Sequence, residues 1–248
     1  MKKYYIIIIA FLGCLGLQAK DMTGLKIYIN PGHGGYDSDD RNVAVYPYAQ
    51  GDTLGFWESS SNLHKGLMLR ELLQEQGATV AMSRVLNRTE DDRGLETIGR
   101  EASEWEADLF FSIHSNATGT SRRDNFPMML FRGYTENPVK PEDKVAAKIL
   151  FKHLIENQVT YWTQTEEYVV GDFDFYPDWN NAGLGVLRKL TVTGFLSEGS
   201  YHDYVPETYR LLNTNGWKHG ISPKLSWNTS TQKDSQREIS PVLFMIAA

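Results

Sequence analysis

The chain has 248 residues, a length that suits one large domain or one domain with appendages. Apolar residues make up 41% and charged residues 23%, both ordinary for a globular protein, so a fibrous, repetitive or wholly disordered chain is excluded. The formal net charge of -6 argues against nucleic acid as a partner, because nucleic-acid binders present a basic face.

Residues 1–19 have the pattern of an export signal. Lys2 and Lys3 supply positive charge, residues 6–17 are apolar or small, and Ala19 offers a small residue at a cleavage point. This pattern is typical of a signal peptide, with a buried N-terminal helix as the alternative. The apolar run is too short to span a bilayer and no later run is long enough, so we expect no transmembrane segment in the mature chain.

The only cysteine, Cys14, lies inside this segment, so the mature chain cannot form an intramolecular disulfide. Residues 11–14 loosely resemble a lipoprotein processing site, which makes a lipid-tethered form an alternative to a free one. Both forms would be exported, and we expect the protein in the periplasm or the cell envelope.

Strands alternate with helices along most of the remaining chain. Strands are predicted over residues 25–29, 79–82, 107–113, 128–131 and 190–197. Helices are predicted from Glu58 to a stop at Gly77, over residues 91–106, from Asp143 onward and over residues 201–212. The alternation predicts an α/β fold, with a mixed, mostly parallel twisted sheet and helices on both faces.

Two stretches and the C-terminus lack a clear period. Residues 36–57 are predicted to be a long loop. Residues 161–181 are rich in aromatic side chains, which either pack under an irregular loop or form a groove wall that stacks on sugar or peptide. Beyond Asn213 small and polar residues dominate, so we divide the chain into a signal peptide (1–19), a main domain (20–220) and a weakly structured tail (221–248).

Three polar residues fall at or just after predicted strand ends, where α/β folds bind their ligands: His33, His114 and Glu198. His33 lies in a glycine-rich turn, and His114 follows an almost wholly apolar strand. Zinc takes imidazole and carboxylate ligands, usually three from the protein in a catalytic site. Together with Glu58 at a helix start, the two histidines would supply such a set, although their spacing matches no short-range metal motif.

Four motifs, in this order, resemble the zinc-dependent N-acetylmuramoyl-L-alanine amidases of the type-3 family. They are NPGHGG at residues 30–35, Glu58 followed by Asn62 and a helix, ADLFFSIHSNA at residues 107–117, and LGVLR at residues 184–188 leading by a strand to Glu198. The histidine strand at 107–117 is the most specific of these. The resemblance covers roughly residues 25–212, and residues 36–57 and 161–181 read as insertions.

The resemblance implies one zinc ion held by His33, Glu58 and His114, with Glu198 as the general base. It also implies that residues 20–220 form a zinc amidase catalytic domain, a monomer, that acts on peptidoglycan. The bond cut would join N-acetylmuramic acid to L-alanine. Zinc polarises the amide carbonyl and lowers the pKa of its bound water from about 15.7 towards about 7, and a nearby carboxylate takes the proton.

Other interpretations stay open. The helix dipole also favours a glutamate at a helix start, so Glu58 has a structural alternative. Glu198 has one too, an ion pair with Arg188 or Lys189. A zinc exopeptidase or carboxypeptidase on a similar scaffold would use the same chemistry, and a cell-wall binding module with a dead site is a rival from another class.

The remaining histidines and a run of arginines are expected to be peripheral. His64 and His153 are predicted on helix surfaces, and His202 either in a solvated loop or close enough to the site to steady a transition-state oxygen. The arginine run is predicted to be a solvated face, with one member available to bind a carboxylate of the peptide stem. It consists of Arg84, Arg88, Arg93 and Arg100.

Overall fold

The computed structural model describes residues 22–37, 41–119, 125–156, 159–160 and 167–215. The predicted signal peptide (1–19), Cys14 and the predicted tail (221–248) lie outside these residues, as do residues 161–166 of the aromatic stretch. No helix in the described ranges is long and apolar enough to cross a membrane.

Six strands form the main sheet, and two short strands form a separate hairpin. The main strands are β1 (Lys26–Pro31), β4 (Thr79–Met82), β5 (Leu109–Asn116), β6 (Met128–Phe131), β7 (Val169–Gly171) and β8 (Gly194–Tyr201). The hairpin pairs β2 (Asn42–Val43) with β3 (Phe56–Trp57). The strand order in the main sheet is β4-β1-β5-β8-β6-β7. All neighbours are parallel except β6 and β8, which are antiparallel.

Six helices lie within the described ranges, five of them between strands and the sixth after β8. They are α1 (Glu58–Glu75), α2 (Leu95–Glu104), α3 (Pro141–Glu156), α4 (Asp172–Phe175), α5 (Gly185–Arg188) and α6 (Val205–Asn215). Two 3-10 turns span Thr89–Asp91 and Pro177–Trp179.

Two apolar clusters cover the two faces of the main sheet. Leu69 of α1 and Leu150 of α3 belong to one cluster, and Ile98 of α2 and Val186 of α5 belong to the other. Burial of apolar surface at about 25 cal/mol per Å² drives each layer onto the sheet. The predicted fold class, an α/β fold with a mixed, mostly parallel sheet and helices on both faces, is therefore confirmed.

Several elements differ from the sequence prediction. The predicted loop 36–57 contains the β2–β3 hairpin, and the predicted helix 91–106 is shorter, spanning Leu95–Glu104 after a 3-10 turn. The short helices α4 and α5 were not predicted. The last strand begins at Gly194 rather than at Leu190, since Leu190 packs in the core before the hydrogen-bonded ladder starts. The short strand β7 was not predicted.

The sheet order places the candidate site residues side by side. β5 lies between β1 and β8, so the elements that carry His33, His114 and Glu198 are direct neighbours. His114 and Glu198 are paired in register on parallel strands. Register partners point to the same face of a sheet, so these two side chains share one face.

Candidate metal centre

His33, Glu58 and His114 come together at one end of the sheet, with one potential ligand atom from each residue within 4.8 Å of the others. Glu58 lies between the two imidazoles. Its Oε2 is 3.3 Å from Nε2 of His33, and its Oε1 is 3.2 Å from Nδ1 of His114. The two rings meet edge to face, with centroids 5.1 Å apart.

The turn after β1 brings His33 next to His114. His33 has a φ of 61°, which turns the backbone sharply after the strand. Gly32 leaves room for the neighbouring ring, because a Cβ there would lie 2.1 Å from Nε2 of His114. The glycine before His33 is therefore required by the close approach of the second histidine.

Two hydrogen bonds hold Glu58 in place. The side chain is only 2% exposed, and its Oε1 accepts from the Ser115 backbone N–H at 2.9 Å and from Nδ2 of Asn62 at 3.1 Å. Burial opposes ionisation, but the charge of His33 and the hydrogen bonds from both histidines outweigh it. The pKa of Glu58 therefore lies well below its usual value, and the carboxylate form is favoured.

Glu198 stands next to this cluster in a different state. Its Oε2 is buried and has no hydrogen-bond partner among the described residues. Burial and then the negative charge of Glu58 raise the pKa of Glu198 to about 8. The alternative ion pair with Arg188 is wrong, since Arg188 pairs with Glu96 at 2.9 Å. Two neighbouring carboxyls with pKa values shifted in opposite directions indicate a division of roles.

The chemistry of the three clustered groups fits a zinc ion. Ligands about 2.0–2.2 Å from one tetrahedral zinc lie roughly 3.4 Å from each other, close to the contacts around Glu58. Burial lowers the pKa of His114 and so favours the neutral imidazole that a metal needs. Burial acts the same way on His33, but the charge of Glu58 outweighs it and raises the pKa of His33. Two nitrogens and one ionised carboxylate oxygen make a set that can bind a metal.

His202 is a buried part of the site, so its predicted place in a solvated loop is wrong. It is 3% exposed, and its ring stacks on Phe56 with centroids 5.4 Å apart. Its Nδ1 lies 2.9 Å from the Ser115 carbonyl oxygen and 3.8 Å from Oε2 of Glu58. Burial lowers the pKa of His202. The ring supports the end of β5, whose Ser115 N–H holds Glu58.

Arg84 is also buried, which corrects its assignment to a solvated face. At 5% exposure, its guanidinium donates to the carbonyl oxygens of Gly32 at 2.9 Å and Ser59 at 2.7 Å. These two acceptors directly adjoin His33 and Glu58. Further bonds go to Pro31, Leu86 and Asn87. Arg84 therefore ties the turn that carries one candidate ligand to the helix start that carries another.

The predictions for the remaining arginines and histidines are confirmed at some positions and wrong at others. Arg88 and Arg100 have exposed side chains paired with Asp91 and Glu104, as expected for a solvated face. Arg93 is only partly exposed and binds Glu101 and the Ser83 carbonyl oxygen. His153 is on a helix surface, with its side chain 40% exposed, whereas His64 is buried in α1 and the surface prediction for it is wrong.

Comparison with known proteins adds a family match. A model of the family described as N-acetylmuramoyl-L-alanine amidase matches residues 27–223. The sporulation-specific N-acetylmuramoyl-L-alanine amidase of Bacillus subtilis (strain 168) is 26% identical over 193 residues, which are 77% of this chain and 62% of that protein. The chain thus spans less than two thirds of that relative's length.

Two solved structures share the fold. Cwp6 from Clostridium difficile has a TM-score of 0.58 at 22% identity, covering 91% of this chain and 28% of that one. The catalytic domain of CwlV, an N-acetylmuramoyl-L-alanine amidase from Bacillus (Paenibacillus) polymyxa var. colistinus, has a TM-score of 0.56 at 18% identity, covering 78% and 92%. At these identities the likeness shows the fold alone.

Proposed function

The chain belongs to the N-acetylmuramoyl-L-alanine amidase family, and from this premise we propose that it hydrolyses the amide bond between N-acetylmuramic acid and L-alanine in peptidoglycan. The observation that carries the proposal is the group of His33, Glu58 and His114 beside Glu198. The group offers a metal set, and Glu198 offers a proton acceptor. Hydrolysis of an amide by a metal-activated water uses both.

We assign His33, Glu58 and His114 as the ligands of one zinc ion. When bound, zinc supplies Lewis acidity to the amide carbonyl and lowers the pKa of water. Glu58 contributes a fixed negative charge, because its low pKa and its two hydrogen bonds keep it ionised and oriented. No side-chain nucleophile of this chain is needed for the reaction.

Glu198 is the proposed general base. As a carboxylate it accepts a proton from the attacking water at Oε2, the atom without a hydrogen-bond partner among the described residues. It then gives that proton to the nitrogen of the departing L-alanine. Delivery of this proton returns Glu198 to the carboxylate form, ready for the next water.

The protein would act outside the cytoplasmic membrane, where peptidoglycan lies. Export by the predicted signal peptide (1–19) is part of this proposal, with a lipid-tethered form through Cys14 as the alternative. We expect a monomer that binds peptidoglycan and not nucleic acid.

The test is product analysis with purified, zinc-loaded protein and defined muropeptides. We expect release of the intact stem peptide with a free L-alanine amino group, together with peptide-free glycan. Release of terminal amino acids alone would instead indicate an exopeptidase or carboxypeptidase. Binding to peptidoglycan without any product would indicate a binding module, and either result would contradict the amidase proposal.

A further inference from the structure

A shallow groove lies beside the metal centre, outside the residues assigned so far. Its cavity volume is roughly 600 Å³, within the usual range of ligand sites. One wall is the start of α2, and the other is formed by Trp179, residues 182–183 and the start of α5. The lining is mainly apolar, with Trp179 47% exposed and Leu95 53% exposed. Exposed apolar side chains grouped in this way are typical of a binding surface.

Trp179 presents a flat and supported aromatic face. It stacks in parallel on Tyr176, with ring centroids 3.9 Å apart and an interplanar angle of 6°. Tyr176 is partly buried against the core cluster that contains Leu196 of β8. The pKa of Tyr176 is raised to about 12, first by burial and then by the negative charge of Glu198. The aromatic pair therefore lies close to the candidate base, with one ring anchored and the other facing solvent.

The wall of the groove is held by a buried ion pair. Asp172 is fully buried and accepts hydrogen bonds from the backbone N–H groups of Gly133 and Leu184, both at 2.8 Å. Arg132 pairs with this carboxylate at 3.3 Å and donates to the Ala182 carbonyl oxygen at 2.6 Å. The backbone that lines the groove is thus fixed before a ligand arrives, which lowers the entropy cost of binding.

The groove adjoins the candidate metal centre at Leu95. This side chain lines both the groove and the smaller cavity next to His33 and His114. A ligand that reaches from the metal centre to Trp179 therefore passes over Leu95, whose 53% exposed side chain offers further apolar contact.

The charge of the groove favours a neutral occupant. Its two charged side chains, Arg188 and Glu96, neutralise each other at 2.9 Å. Arg188 also donates to the carbonyl oxygens of Ala182 and Gly183. A peptide stem carries carboxylates and needs a free cation, whereas a sugar ring offers uncharged C–H faces that pack on an aromatic ring.

We propose that this groove is a subsite for the glycan strand of the substrate, with Trp179 as the platform on which a sugar ring stacks. The identification of the ligand as a glycan strand rests on the proposed amidase function. The proposal assigns the groove to sugar and not to peptide. For Trp179 it takes the second of the two alternatives left open for residues 161–181, a wall that contacts substrate. Tyr168, Phe175 and Tyr176 instead pack against the core.

The experiment measures binding and turnover for Trp179→Ala. The binding probe is a peptide-free N-acetylglucosamine tetramer, titrated calorimetrically into the zinc-loaded protein. We expect about tenfold weaker binding in the variant, which is about 1.4 kcal/mol. With glycan-linked substrate, KM should rise about tenfold while kcat stays unchanged, because Trp179 takes no part in the proposed proton transfers.

Two matched variants accompany it. Trp179→Phe keeps an aromatic face and should recover most of the binding, which a purely structural role of the indole would not predict. Tyr46→Ala removes a side chain that is 85% exposed and lies outside the groove, and it should change neither measurement. Thermal unfolding of each variant confirms that the fold is intact.

The outcomes separate this proposal from the amidase proposal. Equal binding of the tetramer by wild type and Trp179→Ala overturns the subsite, even if stem peptide is released normally. Weakened binding of the free stem peptide, with sugar binding unchanged, also overturns it in favour of a peptide groove. Tetramer binding that depends on Trp179, in a protein that releases no stem peptide, supports the subsite and refutes the amidase function alone.

Discussion

The candidate metal centre and the groove proposed to bind glycan meet at Leu95 but are built in opposite ways. In the metal centre, Glu58 is buried and touched by both candidate histidine ligands. In the groove, the main contact surface is the exposed face of Trp179. The first region depends on polar groups held at fixed distances, and the second on an apolar face held at a fixed angle. The two proposed roles, zinc chemistry and glycan binding, therefore depend on separate residues.

This difference predicts two kinds of response to substitution. Removal of one member of a buried polar cluster leaves its partners without compensation, which costs several kcal/mol. Removal of an exposed ring loses only the contact that it makes with the ligand. We therefore expect substitutions in the metal centre to abolish zinc binding or turnover. Substitutions in the groove should only weaken ligand binding.

The largest effect is expected for His114→Ala. Loss of one of three ligands should reduce bound zinc from one equivalent to nearly none, and turnover should fall below detection. Elemental analysis of the purified protein measures the first, and stem-peptide release the second. His153→Ala, a change at an exposed helix position, is the matched control. Full zinc occupancy in the His114 variant would refute the ligand set.

Glu198→Gln should separate metal binding from proton transfer. The amide has nearly the same shape but cannot take a proton, so kcat should fall by about 10²–10⁴ while zinc content stays at one equivalent. Glu104→Gln, at an exposed position, should leave both unchanged. Turnover within a few-fold of wild type in the Glu198 variant would rule out this residue as the base.

Arg84→Lys tests whether the metal centre depends on residues that touch no ligand atom. Lysine keeps the charge but replaces the three guanidinium nitrogens, which together bond Pro31, Gly32, Ser59, Leu86 and Asn87, with a single nitrogen on a shorter stem. We expect zinc affinity to fall about 10- to 100-fold, as measured by competition with a chelator. Arg100→Lys serves as the control on an exposed helix face. An unchanged affinity would show that the turn holds its shape without the guanidinium.

The smallest effect concerns the stability of the zinc-free protein. The folded-state pKa of Glu198, about 8, lies above the ordinary value of 4.5, so the folded chain keeps a proton that the unfolded chain releases. The contribution of Glu198 to the free energy of unfolding is fully present below pH 4.5 and is lost as the pH rises through 8. Glu58 has a lowered pKa, so its contribution is constant over this window.

Melting curves of wild type and Glu198→Gln, both treated with a chelator, check this sign. Between pH 5 and pH 8 the wild type should lose about 5 °C relative to the variant, which carries no titrating group at the position. Glu58 raises the pKa of His33 more than Glu198 does, so most of the contribution of His33 is common to both proteins. A difference that is constant with pH would contradict the raised pKa.

The sequence predicted those parts of the site that a local pattern marks. His33 and His114 were identifiable because a histidine follows each of two apolar strands, and the sheet order then brings these strand ends together. The α/β class was also predictable, because the alternation of strands and helices is itself a local pattern in the sequence. Local patterns are informative where a residue's neighbours in sequence are also its neighbours in space.

The sequence did not identify Arg84 as part of the site, and it left His202 open between a solvated loop and the site. Arg84 bonds a carbonyl group 25 residues away, and His202 contacts Ser115 across 87 residues, so no window of sequence contains both partners. The same holds for the wall of the groove, because Asp172 is held by Arg132, which lies 40 residues earlier, directly after β6. The start of β8 was misplaced because Leu190 continues the apolar run before the strand begins.

The buried pair of Arg132 and Asp172 has a consequence for protein engineering. Residues 172–181 belong to a stretch that the sequence predicted to be an insertion, yet their conformation depends on a guanidinium and a backbone N–H supplied by residues 132–133, directly after β6. Gly183 adds a steric condition, since a Cβ there would lie 2.3 Å from the Asp172 carboxylate. A graft that moves this segment into another protein of the family must therefore carry Arg132 and Gly133 with it, and a library that randomises the segment should leave Asp172 and Gly183 unchanged.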